Sequence, residues 1–477
     1  MSRSSGLRLI GSVILWGAMA HASFAQTYNV LTSFTGPNGG TPMGALMQGI
    51  DGKLYGTTFT SGPNGIGTVY SVTKNGVLTT LNGFCDSSSC DHTASPEAGM
   101  VQGIDGYLYG TTSGFACENL GFSCVTVFKM SPSGTLVGTH NFGTGGPGTA
   151  PLVQTSDQNL YGVGSSAFVI TPGGQFTTLS SFSGGSQGMT QSPQGDFYFS
   201  TYYGGAHGFG AIYKMTSAGV VTTLYDFCPE TGCADGQYPD GPIVIGIDGS
   251  LYGTVTEGGG PNYGGSVFKI TSTGKFTKLY SFCSQANCAD GDYPMGLTLG
   301  SDGNFYGVTL YGGNGATGII SGRGILFKIT PGGTFTPLYN FCSQSNCADG
   351  ANPFAGLTQS TNGKFYGTTQ FGGSNSSACP PVFGYGPCGT VFSLSVGLGP
   401  FVALPVNIAP AGTIVSILGQ GLTGTTNVSF NGTPATFTIK ADTYLTATVP
   451  SGATSGRMKV TTSAGTLTSN RIFYVQP

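Results

Sequence analysis

Between Tyr28 and about Val396 the chain runs in short apolar stretches whose residues alternate with polar ones. A period of two is the mark of a half-buried β-strand. Gly, Asn and Asp separate the stretches, and none repeats at the helical period. The stretches also recur in a fixed order. An apolar run such as Gly296-Leu297-Thr298-Leu299 leads into a turn such as Asp302-Gly303. A Tyr strand, a Gly-rich loop and a strand such as Val267-Phe268-Lys269-Ile270-Thr271 follow. A second turn, Pro331-Gly332-Gly333 in one unit, precedes a strand such as Thr277-Lys278-Leu279-Tyr280-Ser281-Phe282.

The Tyr strand marks seven units, at Tyr55, Tyr109, Tyr161, Tyr198, Tyr252, Tyr306 and Tyr366, spaced 37 to 60 residues apart. Four short strands per unit of this length predict the blades of a β-propeller. The seventh unit lacks a fourth strand after Val391-Phe392-Ser393-Leu394, and Tyr28 to Phe34 precedes the first unit without a blade of its own. Pairing the two closes the ring and removes an open edge. Two further aromatic positions recur, one running from Tyr70 to Phe392 and one from Phe34 to Phe341. Rings at fixed places in every unit are expected to pack blade against blade.

After Leu398 the pattern changes: no Cys follows Cys388, and the Tyr-Gly motif stops. Short alternating runs from Gly412–Gly419 to Ile472–Val475 predict a small β-sandwich. The expected fold is therefore all-β, a seven-bladed β-propeller over 26–398 closed by its N-terminal strand, then a sandwich over 399–477. Residues 1–25 read as an export signal: basic Arg3 and Arg8, an apolar run from Leu9 to Ala20, and a Ser23-Phe24-Ala25 cleavage site. That run is too short to span a bilayer, and no later stretch is long enough.

Composition narrows the function. Of 477 residues 84 are Gly and only 7% are charged, yet 12% are aromatic, which argues against disorder. Losing Arg3 and Arg8 takes the formal charge from −3 to −5, so no basic footprint for nucleic acid exists. The 12 Cys fall into six local pairs: Cys85/Cys90, Cys117/Cys124, Cys228/Cys233, Cys283/Cys288, Cys342/Cys347 and Cys379/Cys388. In an exported chain an even count at such spacing reads as disulfides.

These residues carry two resemblances. Tyr109-Gly110-Thr111-Thr112, Val127-Phe128-Lys129-Met130, and Leu279-Tyr280-Ser281-Phe282 followed by Asp290-Gly291 and Pro294 resemble the GloVer tandem-repeat family of exported bacterial proteins, over residues 28–397. Gly412–Gly419, the Val428-to-Gly432 hairpin and the Val449-Pro450-Ser451-Gly452 turn are similar to an IPT/TIG domain, which implies that the sandwich is immunoglobulin-like. Members of the first family often end in a surface-sorting anchor, and here the IPT/TIG-like tail takes that place. Neither resemblance brings a catalytic motif to these residues.

Loops after the second and fourth strands share one face, which collects the Gly-rich loops and the Cys pairs and is where binding is expected. The linker Ser183 to Gly188 has no Cys, so the rim should be low there. Three constellations carry candidate chemistry. Tyr203, Tyr311 and Phe371 each precede a Gly-Gly at one aligned place and are candidates for stacking on sugar rings. Glu230, Asp240, Glu257 and Asp292 gather near the fifth blade; Glu257, Asp292 and Asp240 are the candidate acids for hydrolysis or lysis. Asp235, Asp290 and Asp349 recur in Cys-Ala-Asp-Gly, where an Asp bonding its own turn competes with calcium ligation. His92, His140 and His207 have no recurrent partner, so no catalytic triad is read. The leading expectation is a monomeric, exported or cell-surface protein without cofactor that binds an extracellular glycan or protein. A polysaccharide hydrolase or lyase and a purely structural surface protein stand as alternatives.

Overall fold

The computed structural model describes residues 26–84, 95–113, 125–141, 150–182, 184–260, 262–318, 320–374 and 388–476. The expected export signal at 1–25, Phe142, and Cys85, Cys90, Cys117, Cys124 and Cys379 lie outside them.

Among the described residues seven four-stranded antiparallel sheets form, each in chain order from first strand to fourth. The exception is the last sheet, where Thr358–Gln359, Phe365–Thr369 and Thr390–Ser395 are completed by Thr27–Ser33. The register there runs from Thr27 opposite Ser395 to Ser33 opposite Thr390. The N-terminal strand thus closes the ring as the sequence implies.

Seven apolar clusters lie between successive sheets, and each draws on two neighbours. Tyr252, Val267 and Phe282 of the fifth sheet meet Leu297, Phe305 and Phe327 of the sixth. Phe34, Tyr366 and Val391 of the last sheet meet Leu46, Leu54 and Tyr70 of the first, so no interface is left open. The recurrent rings make these joints: Tyr252 lies 4.2 Å from Phe305, Tyr306 lies 4.1 Å from Phe365, and Phe282 lies 5.1 Å from Phe327. Burying one such ring contributes about 1.5–3 kcal/mol. The pattern relaxes between the third and fourth sheets, where Phe182 and Tyr213 are only half-buried.

The glycines before the third strands have a specific task. Gly265 has φ +82°, and a Cβ there would sit 2.4 Å from the Val255 carbonyl and 2.6 Å from Pro294 Cδ. Only glycine lets the next linker lie that close.

First strands of all seven sheets line one axial cavity of about 510 Å³. Glutamines stitch these strands together at the turn end. Gln102 Oε1 accepts from Ile50 N at 2.8 Å, Gln154 Oε1 from Ile104 N at 2.9 Å, Gln359 Oε1 from Ser301 N at 2.8 Å, and Gln48 Oε1 from Thr361 N at 2.9 Å.

The tail is a sandwich of a five-stranded and a three-stranded sheet around Val415, Ile417, Val428, Phe430, Leu445, Met458, Val460 and Phe473. It docks on the turn end of the ring. Thr443 Oγ1 donates to the Ile50 carbonyl at 2.6 Å, Thr361 Oγ1 to the Gly419 carbonyl at 3.3 Å, and Phe401 N to the Thr361 carbonyl at 3.1 Å. The tail therefore supplies one wall of the axial cavity.

Candidate functional site

At the opposite, loop end of the ring, the fifth and sixth sheets have the longest first strands among the described residues. Their first strands, Gln237–Ile245 and Asp292–Leu299, extend well beyond the two-residue first strands of the first, second, third and last sheets. Each long strand starts just after a Cys loop and turns through a tyrosine in the left-handed region, Tyr238 at φ 59° and Tyr293 at φ 62°. A bulky residue there is uncommon, and such backbone strain gathers at functional places. Each is held by its own amide, which donates to the preceding sheet's loop: Tyr238 N to the Phe209 carbonyl at 2.9 Å and Tyr293 N to the Gly264 carbonyl at 3.1 Å.

These two rings anchor a tyrosine cluster across three sheets. Tyr202 stacks on Tyr238 at 5.0 Å with planes 10° apart, and its hydroxyl meets the Tyr293 hydroxyl at 2.8 Å. Tyr203 stands edge-on to Tyr238 at 5.4 Å, and Tyr311 edge-on to Tyr293 at 6.0 Å. Burial raises the Tyr202 and Tyr293 hydroxyls above the ordinary tyrosine range. Both remain neutral hydrogen-bonding groups at physiological pH.

Carboxyls border the cluster. Glu257 Oε2 accepts from Gln237 Nε2 at 3.0 Å, and the Glu257 charge contributes to raising the Tyr202 and Tyr238 hydroxyls and Asp292. Asp292 is 2% exposed; burial raises its pKa, while its Oδ2 accepts from Ile320 N at 2.6 Å. Burial pushes Asp240 up to about 6, against a bond from Gly241 N at 2.7 Å. Glu230 is exposed on the Cys228–Cys233 loop, apart from these groups.

The three candidate stacking residues differ in exposure. Tyr203 is 57% exposed, Tyr311 is half-buried against the joint of the sixth and last sheets, and Phe371 is 7% exposed. Phe371 exchanges backbone bonds with Ala351, whereas Tyr203 N bonds Gly184 in the short linker that carries no Cys loop. Glu257 holds the same place in the fifth sheet, opposite Gln237 as Tyr311 is opposite Asp292.

The Cys-Ala-Asp-Gly aspartates build their own loops. Asp290 accepts from Tyr280 Oη at 2.8 Å, Ser284 N at 3.0 Å and Gln285 N at 3.1 Å. Asp349 repeats this with Tyr339, Ser343 and Gln344, and Asp235 takes Tyr225 and Cys228 N. Among the described residues no three His, Cys, Asp or Glu side chains are placed to hold a metal. Disulfides join Cys228 to Cys233, Cys283 to Cys288 and Cys342 to Cys347, and Cys388 is also oxidised.

Sequence reasoning missed Tyr202, Tyr238 and Tyr293. The signal was present: Tyr238-Pro239 and Tyr293-Pro294 share one place in successive linkers. It also missed Glu97, which follows the linker proline Pro96 as Asp240 follows Pro239. Burial raises Glu97 to about 7, opposed by a bond with Ser113.

The ring's repeats and the tail's sandwich match known families. Residues 15–186 and 163–379 match the Gloeobacter/Verrucomicrobia repeat, and residues 404–474 the IPT/TIG domain. No curated protein matches the chain. Among solved structures, the chain is similar to the extracellular domain of what is named a hybrid two component system of B. thetaiotaomicron, at 12% identity and a TM-score of 0.48, covering 95% of this chain and 59% of that one. It is similar to a gluconolactonase of Xanthomonas campestris at 11% identity and a TM-score of 0.36, covering 57% and 84%. It is also similar to a luciferin-regenerating enzyme at 13% identity and a TM-score of 0.40, covering 62% and 89%. By the share of its length that matches, the chain belongs to the Gloeobacter/Verrucomicrobia repeat family, and an IPT/TIG domain follows the repeats.

Proposed function

We propose that this is an exported binding protein whose loop end holds a glycan against the tyrosine cluster, with the IPT/TIG domain serving attachment or spacing. One observation carries the reading: Tyr203 leaves 57% of its surface in water at the edge of a connected set of rings spanning three sheets. An exposed aromatic face stacks on the C–H face of a sugar, and neighbouring hydroxyls and carboxylates take up sugar hydroxyls. The low rim at the linker before the fourth sheet gives a chain-like ligand side access. Local disulfides fit an oxidising compartment. No helix among the described residues is long and apolar enough to cross a membrane.

A second reading, a polysaccharide hydrolase or lyase, is favoured by one feature. Asp240, pushed up to about 6, exchanges its proton near neutral pH, as a general acid requires. A polysaccharide array read for both retention and product release separates the two. Retention without release supports the binding protein; release that stops in Glu257→Gln supports the enzyme.

A further inference from the structure

The axial cavity lies at the other end of the ring from the tyrosine cluster, between the first strands and the docked tail. Its size falls within the ~300–1,000 Å³ of small-molecule sites, which favour domain joints. The walls combine three chemistries.

The first is one cation. Arg471 lines the cavity, and no Asp or Glu does. Among the described residues its guanidinium has no ion pair. A register shift between Arg457 and Lys459, opposite the strand Gly465–Gln476, puts Arg471 in an irregular stretch. Ser469 Oγ fixes that stretch by donating to the Arg471 carbonyl at 2.6 Å and accepting from Met458 N at 3.0 Å. Such bulges re-aim side chains. Arg471 is exposed, because the cavity leaves open space around it, while the surrounding protein lowers its pKa by desolvation. It stays charged at any physiological pH.

The second chemistry is amide. Gln102 and Gln154 each commit one Nε2 hydrogen, to the Gly106 and Gln158 carbonyls, and keep a second. The third is apolar. Ile104, Ile247 and Ile414 face this space at 39%, 53% and 57% exposure, a placement that large aliphatic side chains otherwise avoid.

We propose that this cavity binds a small hydroxylated carboxylate of the sugar-acid class: Arg471 takes the carboxylate, the glutamines take hydroxyls, and the isoleucines cover the C–H face. Guanidinium and carboxylate match in a two-pronged, charge-assisted pair. A neutral sugar leaves the guanidinium unpaired. The inference is independent of the loop-end glycan site.

The test is calorimetric titration of the full mature chain with D-galacturonate, D-galactose and inorganic phosphate. Galacturonate should bind and galactose should not. Arg471→Gln should weaken galacturonate at least about tenfold, or about 1.4 kcal/mol. Ile247→Trp, which fills the cavity from the ring side, should weaken it too while the melting temperature holds. The same titrations in Tyr203→Ala keep any sugar held at the loop end out of the comparison. Equal affinity for galacturonate and galactose, no galacturonate binding, or full binding in both cavity variants overturns the proposal. Arg471-dependent phosphate binding without galacturonate binding overturns the carboxylate assignment.

Discussion

Tyr28 lies flat on Tyr339, their ring centroids 3.9 Å apart and their planes 7° from parallel. One ring belongs to the strand Thr27–Ser33 and the other to the fourth strand of the sixth sheet. The Tyr28 hydroxyl also donates to the Asp349 carbonyl at 2.6 Å. The N-terminal strand therefore completes the last sheet and clamps it to its neighbour.

Deleting Gln26 to Phe34 removes that strand, Tyr28 and the fully buried Phe34. Loss of one such ring alone costs about 3–5 kcal/mol, and the deletion also bares a sheet edge. The expected result is an insoluble protein or a drop in melting temperature of many degrees. Deleting Pro400 to Pro477 removes turn-end contacts only, and the remaining ring should melt within a few degrees of the full chain. Scanning calorimetry of both truncations checks this, and equal damage from the two contradicts the assigned closure.

The cysteine loops should be fully oxidised and locally paired. Peptide mapping without reduction should join Cys228 to Cys233, Cys283 to Cys288 and Cys342 to Cys347, as in the structure. Replacing both Cys228 and Cys233 by Ser should cost roughly 2 kcal/mol, the loop-closure value for so short a span. A long-range pair such as Cys228 with Cys342 contradicts the arrangement.

Stability should fall as pH rises from 5 to 8. Folding raises Asp240 from 3.8 to about 6 and Glu97 from 4.5 to about 7. The folded chain thus binds more protons than the unfolded one between those values. Their stabilising contribution is complete below the unfolded pKa and is lost as pH climbs through the folded one. Asp105 and Asp248 act oppositely but at lower pH: burial lifts them, while bonds from lysine and tyrosine outweigh it and hold both below their ordinary range. Melting curves of Asp240→Asn and Glu97→Gln should each flatten the slope between pH 5 and 8; an unchanged slope in both contradicts the assignment.

The ring was legible because its joints repeat: Tyr252, Phe268 and Phe282 have counterparts on the corresponding strands of every unit, and packing demands them there. Docking of the tail was not legible. It rests on backbone carbonyls at Ile50 and Gly419 and on Thr361 and Thr443, which any surface turn offers. The stacking candidates were legible as an aligned place and not as an exposure. Phe371 is covered by the segment at Ala351 and Tyr203 is left open by a shorter linker, and linker length acts in three dimensions. Tyr238 and Tyr293 escaped notice because each stands in a left-handed turn at the start of its first strand, where alternation is broken and only the following proline marks the place.

Affinity of Tyr203→Ala for the glycan best retained by the parent protein tests the central claim most directly. Truncating the exposed ring should weaken binding by about 1–3 kcal/mol, the range of an interface hot spot, with the melting temperature unchanged. Unchanged affinity in a folded Tyr203→Ala protein contradicts the placement of the ligand on the tyrosine cluster.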